Sequence, residues 1–309
     1  MDNTMNTTFD IIVIGGGVIG ASIFHHLAQQ GYQVGLIEKK TIASGCTAWS
    51  GGIVRCFHLD SVITERALYS WEYYLTFEKH TGINCEFNQS GFVFIPKKSG
   101  KDIALAEFNR LSKKIPLFII QKTEIEKQFG NIFKQTPEYV IYEPKAGYLY
   151  PISVTNAWIQ AGEKNGGKIY DHTTAKTITE INNRIHIKTS RGNILTKKIV
   201  IAAGTSSPQI INQLGYAHQL TVKNIHMDIR RIPNFISHPA YVDEETNLYG
   251  RPDIASSAMY IGLPSNKQIN DALFDTQHST DIYEQGLRRF SWGKVFAVNW
   301  GKSLSLSPQ

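Results

Sequence analysis

The chain is short of cysteine, of long apolar runs and of clustered charge. Its 309 residues hold three cysteines, Cys46, Cys56 and Cys85, too few and too scattered for a disulfide framework or a four-ligand zinc site. The longest apolar run, Ile11 to Phe24, is broken by four glycines, which excludes a membrane span or a signal-peptide core. Residues 1–10 are polar and lack a basic leader, so a cytoplasmic location is expected. Charged residues make up 19% of the chain and the net charge is +6, with the basic residues in dispersed pairs such as Lys97-Lys98, Lys197-Lys198 and Arg288-Arg289. A nucleic-acid groove needs such charges gathered among stacking aromatics, and no segment does that. No nucleic-acid partner is expected, and the mild positive field suits an anionic substrate or cofactor. Internal repeats and low-complexity linkers are absent as well. What is there is 42% hydrophobic and 11% aromatic, a soluble globular composition long enough for about two domains.

The first fifty residues carry the strongest pattern. Phe9 to Ile14 is a short β-branched run that reads as a buried parallel strand. The glycines Gly15, Gly17 and Gly20 follow at once as G-x-G-x-x-G, and Ala21 to Gln30 has helical periodicity with Ile23 and Leu27 on one face and Gly31 as its stop. Val34 to Ile37 is a second strand ending in Glu38, 23 residues after the first glycine. This is the context a dinucleotide turn requires. Gly15 permits the tight turn, Gly17 lets backbone approach a diphosphate, and Gly20 lets the helix press on the sheet. The phosphates meet the free N–H groups at Val18 and Ile19, and Glu38 accepts the ribose hydroxyls. Phe24 departs from the small residues usual on that helix face, and a local shift is expected there.

After Glu38-Lys39 comes a ribbon of small residues, Ser44-Gly45-Cys46-Thr47-Ala48-Trp49-Ser50-Gly51-Gly52-Ile53-Val54-Arg55. Such a ribbon can lie flat along a planar ring and donate backbone N–H groups to it. With this ribbon, the chain resembles the FAD-dependent amine and amino-acid oxidoreductases of the D-amino-acid oxidase type, which include sarcosine oxidases and glycine oxidase. The resemblance rests on Asp10–Lys39, on Ser44–Arg55, on Ala146-Gly147-Tyr148-Leu149-Tyr150-Pro151, and on Lys198–Pro208, a strand that ends in Ala203-Gly204. It implies an α/β fold: a Rossmann-like FAD-binding domain, with an α+β second domain whose β-sheet covers the flavin. The expected division is 1–79 with 151–209 for FAD, 80–150 with 210–290 for substrate, and 291–309 as a return to the FAD domain. The same resemblance implies that Ala203 and Gly204 pack beside the cofactor and that backbone near Ala175 and Lys176 meets the adenine.

Oxidising an amine beside a carboxylate asks the protein to hold the carboxylate, and arginine is the natural clamp because its fork is bidentate. Arg55 at the ribbon's end is the first candidate, with His58 three residues on as a polarising group; a surface arginine or a phosphate contact is the plainer reading of Arg55. Tyr249 and Arg251 in Tyr249-Gly250-Arg251-Pro252 form a second candidate site, with a simple turn as the plainer reading. Cys46 and Cys56 read as small apolar residues, and nothing in the pattern supports covalent flavin attachment through either. No metal site is read. The resemblance fades after Val298, and the chain stops at Gln309 without the second Gly-rich turn and last helix of the family. A C-terminally truncated member is the expectation, holding flavin weakly and turning over little by itself. Three functions stay open: oxidation of a C–N bond of an amino acid or N-methylated amine by hydride transfer to FAD; modification of a side chain on a partner protein; and an inactive flavoprotein-like chain.

Overall fold

The structure is a computed structural model and describes residues 5–231, 237–265, 276–291, 296–298 and 302–308. The chain opens with β1 (Met5–Ile14), α1 (Val18–Gln29), β2 (Val34–Ile37) and the two-residue β3 (Ile53–Val54). Ile11 to Ile14 are all buried, as a parallel strand covered on both faces demands. Gly31 stops α1 in a left-handed conformation, φ +83°, and its N–H donates to Ala28 O at 2.9 Å. Next come α2 (Ser61–Leu75), α3 (Phe77–Thr81), β4 (Phe92–Ile95), α4 (Lys101–Leu111), β5 (Phe118–Gln121), α5 (Lys122–Phe129), β6 (Tyr139–Glu143) and β7 (Gly147–Tyr148). Asp60 caps α2, its carboxylate accepting from Val62 N and Ile63 N at 2.8 and 3.1 Å. Thr76 separates α2 from α3.

The remainder runs α6 (Pro151–Lys164), β8 (Lys168–Tyr170), β9 (Ala175–Ile181), β10 (Arg184–Thr189), β11 (Gly192–Ile201), α7 (Ser207–Gln213), β12 (Leu220–Arg231), β13 (Ala240–Asp243), β14 (Leu248–Asp253), β15 (Ala258–Leu263), α8 (Thr276–Arg289), β16 (Phe296–Val298) and β17 (Lys302–Pro308). Helices α7 and α8 were not expected from the sequence pattern. Two main sheets result. The first has the order β8-β2-β1-β11-β10-β9, parallel through β11 and then antiparallel. The second orders its strands β16-β12-β15-β14-β13-β4-β6-β5, with β17 also paired to β12. The expected α/β architecture is therefore present, a Rossmann-like layer beside a largely antiparallel sheet. The bridge between the two is β3 paired with β7, with Ile53 opposite Tyr148.

The buried face of α1 is Gly20, Ala21, Phe24, His25 and Ala28, with Ile23 and Leu27 at its rim. Phe24 has no solvent exposure, and its room comes from α6. A Cβ on Gly162 would stand 2.3 Å from Phe24 Cε1, and one on Gly167 2.3 Å from Phe24 Cζ. The bulky residue is thus matched by two glycines on the facing segment and not absorbed by a shift of the helix. Trp158 of α6 completes the cluster, 4.6 Å from the Phe77 ring and 5.3 Å from that of Tyr73. Gly162→Ala overpacks this contact and is expected to destabilise the chain by about 1–3 kcal/mol. In a Phe24→Leu background the same change costs much less, and denaturant midpoints of the four-member cycle measure the coupling.

Candidate functional site

The turn between β1 and α1 has no space for side chains on its inner side. Gly15 sits at φ +113°, and a Cβ there would be 2.3 Å from Ala202 O; a Cβ on Gly20 would be 1.9 Å from Gly15 O. Gly17 differs, because only Thr47 Oγ1, at 3.0 Å, lies within reach of a Cβ on it. Its outer side is therefore open to a ligand that needs close backbone approach. The positive end of α1 points into this opening. Thr47 Oγ1 accepts a hydrogen bond from Val18 N at 3.0 Å, so the Val18 N–H, expected to be free, is met by the ribbon here, and Ile19 is 67% exposed beside it.

Glu38 closes the far side of the turn. Its Oε2 accepts from Gly16 N at 2.7 Å and its Oε1 from Lys40 N at 2.8 Å, which leaves further lone pairs on both oxygens for ribose hydroxyls. The segment before β9 is strapped to the same place, with Thr173 N donating to Glu38 O at 2.7 Å and His172 N to Lys40 O at 3.1 Å. Ala175 and Lys176 follow directly, although the Lys176 carbonyl already accepts from Gln213 Nε2 at 3.0 Å. Lys39 Nζ donates to Ser206 Oγ at 2.8 Å. Gly204, at φ +55°, faces open space, and Ala203 precedes it, two residues past the end of β11. The backbone of β17 runs beside the turns at Cys46–Trp49 and Gly204–Ser206. These features fit an adenine dinucleotide: a helix end for the diphosphate, an acid for the ribose and a cradle that a Cβ would fill.

The ribbon is zipped to the segment 147–149. Leu149 N donates to Gly52 O at 2.9 Å, and Gly52, at φ +66°, would drive a Cβ to 2.1 Å from Leu149 O. Ser44, Gly45, Ala48 and Ser50 lie on the stretch leading into this zipper, with Ser50 Oγ accepting from Gly52 N at 3.2 Å. Arg251, fully buried, donates from Nε to Gly51 O and from Nη1 to Pro252 O at 2.9 Å. Its guanidinium stacks on Tyr260 and Tyr148, 4.0 and 4.3 Å from their ring centroids. Arg251 therefore ties the ribbon to the second sheet and does not reach the cavity described next.

A cavity of about 430 Å³ opens between the end of the ribbon and the second sheet, within the size range of small-molecule sites. Ile53 and Arg55 form one wall; Val242, Asp243, Glu244, Asn247, Tyr249 and Pro264 form the other. Arg55 lies 4.8 Å over the Phe92 ring and donates to Phe57 O. Burial pushes its pKa down to about 10, against the pull of Glu143 and Glu244, so it stays charged at neutral pH. Burial pushes the Tyr249 phenol up to about 12, so it stays protonated. His58 does not line this cavity. The Cys56 thiol is buried and shifted far upward by burial and by Glu143, which makes it an inert, unreactive sulfur.

Of the cavity's far wall, sequence reasoning named Tyr249 alone, and it missed Glu143 and the other far-wall residues. Glu143, with no exposure, accepts from Cys56 N and Phe57 N, at 2.9 to 3.0 Å. It pins the backbone that follows Arg55, and burial raises its pKa. An acid at the end of a β-rich run carries no sign of pointing inward. Among the described residues no group of acids, histidines or cysteines could hold a metal ion, and no helix is long and apolar enough to cross a membrane.

Comparison with known proteins agrees with this geometry. A family model described as FAD dependent oxidoreductase, DAO, matches residues 10–296. The monomeric sarcosine oxidase of Bacillus sp. (strain B-0618) is 24% identical over 270 residues, which cover 84% of this chain and 69% of that protein. The crystal structure of L-proline dehydrogenase from P. horikoshii superposes with a TM-score of 0.89 at 19% identity, covering 99% of this chain and 83% of that one. Glycine oxidase from Geobacillus kaustophilus does so with a TM-score of 0.83 at 19% identity, covering 98% and 83%.

Two outcomes are expected of this site. Glu38→Ala removes the acceptor for both Gly16 N and the ribose, and should weaken FAD binding by about tenfold or more, read by quenching of flavin fluorescence. The second concerns acid. Burial holds His58 and His238 down to about 4, with the Arg55 charge also lowering His58. In the unfolded chain both titrate near 6.5. Between those values the unfolded chain binds protons that the folded chain refuses, so stability is full above pH 6.5 and falls as pH drops towards 4. Denaturant midpoints across that range should show the fall, with a shallower slope for His58→Asn.

Proposed function

The chain belongs to the DAO family of FAD-dependent oxidoreductases, and from its cavity we propose that it oxidises a C–N bond of a free amino acid or N-methylated amine. The observation that carries the reading is the Arg55 guanidinium on the cavity wall, one residue beyond the strand zipped to β7. A half-buried fork that stays charged at neutral pH is suited to a substrate carboxylate. Gly15, Gly17, Val18, Ile19 and Gly20 would hold the FAD diphosphate and Glu38 its ribose. Lys39, Ala175, Lys176, Ala203 and Gly204 would flank the adenosine half, and the ribbon from Ser44 to Ile53 the ring system. Bound FAD supplies the hydride acceptor.

The protein's own part is orientation and exclusion. Arg55 fixes the carboxylate, so the adjacent carbon has one approach. Glu143 holds the backbone of Cys56 and Phe57, and thereby the base of the Arg55 side chain. Tyr249 stays protonated and serves as a hydrogen-bond donor to the bound substrate. Ile53, Val242 and Pro264 supply apolar wall and limit water. His58 stands behind Arg55 as a neutral neighbour. Arg251 acts through the ribbon and not on the substrate. A cavity of about 430 Å³ favours a free small molecule over the side chain of a partner protein.

Anaerobic addition of carboxylated amines to the FAD-loaded chain should bleach the visible flavin band. Arg55→Met should raise the substrate Kd on the order of a hundredfold, the scale of breaking a buried charged pair at about 2–5 kcal/mol. The limiting rate of reduction should change less. Failure of every amine and amino acid in a broad panel to bleach the flavin overturns the reading.

A further inference from the structure

Arg251 carries a full charge where the ribbon needs only a hydrogen-bond donor. We propose that this charge tunes the flavin: it favours the anionic form of the reduced ring and so raises the tendency of bound FAD to accept electrons. The proposal rests on the placement of FAD along the ribbon inferred above, and not on the substrate.

The side chain reaches from β14 to the ribbon and has no solvent exposure. Its Nε donates to Gly51 O and its Nη1 to Pro252 O at 2.9 Å, while Nη2 has no hydrogen-bond partner. A neutral amide could serve Gly51 O as well. A buried guanidinium is far more costly than an amide unless a carboxylate pairs with it, and among the described residues none does. The acid two residues on, Asp253, is committed elsewhere: its Oδ1 accepts from Tyr150 Oη at 2.9 Å and its Oδ2 from Ser256 Oγ at 2.6 Å. The remaining neighbours are the rings of Tyr148, Tyr150 and Tyr260. Their faces attract the cation but bring no net charge. Arginine in such a place still keeps its proton.

Arg55, the other cation at the ribbon, is differently placed. Glu143 and Glu244 act on it electrostatically, and it lines the cavity, where a substrate carboxylate would neutralise it. Arg251 stays uncompensated whether or not substrate is bound. Its field acts in the dry joint where the ribbon, β7 and β14 meet. A fixed positive charge in such surroundings stabilises negative charge that develops nearby. A ring system lying along the ribbon and taking up two electrons develops such charge, and charged groups close to the ring are a general means of adjusting flavin electronics.

Reduction by two electrons takes up one proton where the reduced ring stays an anion, and two where it ends neutral. The potential of the full-length, FAD-loaded chain, measured anaerobically against a reference dye, falls by about 30 mV per pH unit in the first case and about 59 mV in the second. The break between the two slopes should lie about one pH unit or more below that of free FAD in the same buffer. In Arg251→Gln the break should return towards the free value. In Arg251→Lys, which keeps a charge without both backbone hydrogen bonds, it should stay low. A wild-type break at the free value overturns the proposal, and that measurement needs no variant to fold. A Gln variant that keeps the wild-type break overturns it too, as does a Lys variant that matches Gln, because altered ribbon geometry then explains both. No amine enters the measurement. Its failure therefore leaves C–N oxidation standing, and a flavin that no amine bleaches leaves the role of Arg251 standing.

Discussion

The structure depends on a contact that leaves no room for a single carbon atom. At the first turn, Gly20 lies so close to Gly15 O, and Gly15 so close to Ala202 O, that a Cβ at either would meet backbone at 1.9 or 2.3 Å. This closeness presses the start of α1 onto the C-terminal ends of β1 and β11, two central strands of the first sheet. The helix's free N–H groups then face the opening next to Gly17 and cannot turn inward. Glu38, the strap at residues 172–173 and the end of β11 all gather around that point because β2 and β11 flank β1 in the sheet. In the proposed reading, a site for a diphosphate follows from backbone packing, with charged side chains added only for the sugar and adenosine end.

From that anchor the ribbon carries the site across to the second sheet. It is held by backbone more than by side chains: Leu149 N donates to Gly52 O, β3 pairs with β7, and Arg251 reaches over from β14 to Gly51 O. Arg251 spends a full charge on this joint, stacked among three tyrosines, Tyr148, Tyr150 and Tyr260, and burial lowers its pKa. The second joint is Glu143, which uses its carboxylate on two backbone N–H groups. Both ion-bearing side chains fix the position of Arg55 relative to the ribbon, and with it the distance from any cofactor to any substrate.

The first strand, the glycine turn, the second strand with its acid and the ribbon were legible because each lies within a contiguous stretch whose spacing is itself the signal. Arg55 was legible for the same reason, as the first cation after the ribbon. Contacts between distant segments were not. Cys56 N meets Glu143 across 87 residues and Arg251 meets Gly51 across 200, and nothing in the local pattern of either partner announces the other. Phe24 looked like a misfit until Gly162 and Gly167 were seen to make its space. The same limit hid the far wall of the cavity: Val242, Glu244 and Asn247 belong to an ordinary hairpin, and only the pairing of β13 with β4 brings them opposite the ribbon.

The central claim is that one dinucleotide spans both parts, its diphosphate at α1 and its ring system along the ribbon. Competition calorimetry tests it most directly: FAD titrated into the full-length chain, alone and with saturating adenosine diphosphate. The account predicts one FAD per chain, displaced competitively by adenosine diphosphate because both use the end of α1. FAD binding that adenosine diphosphate leaves untouched, or no FAD binding at all, would contradict it.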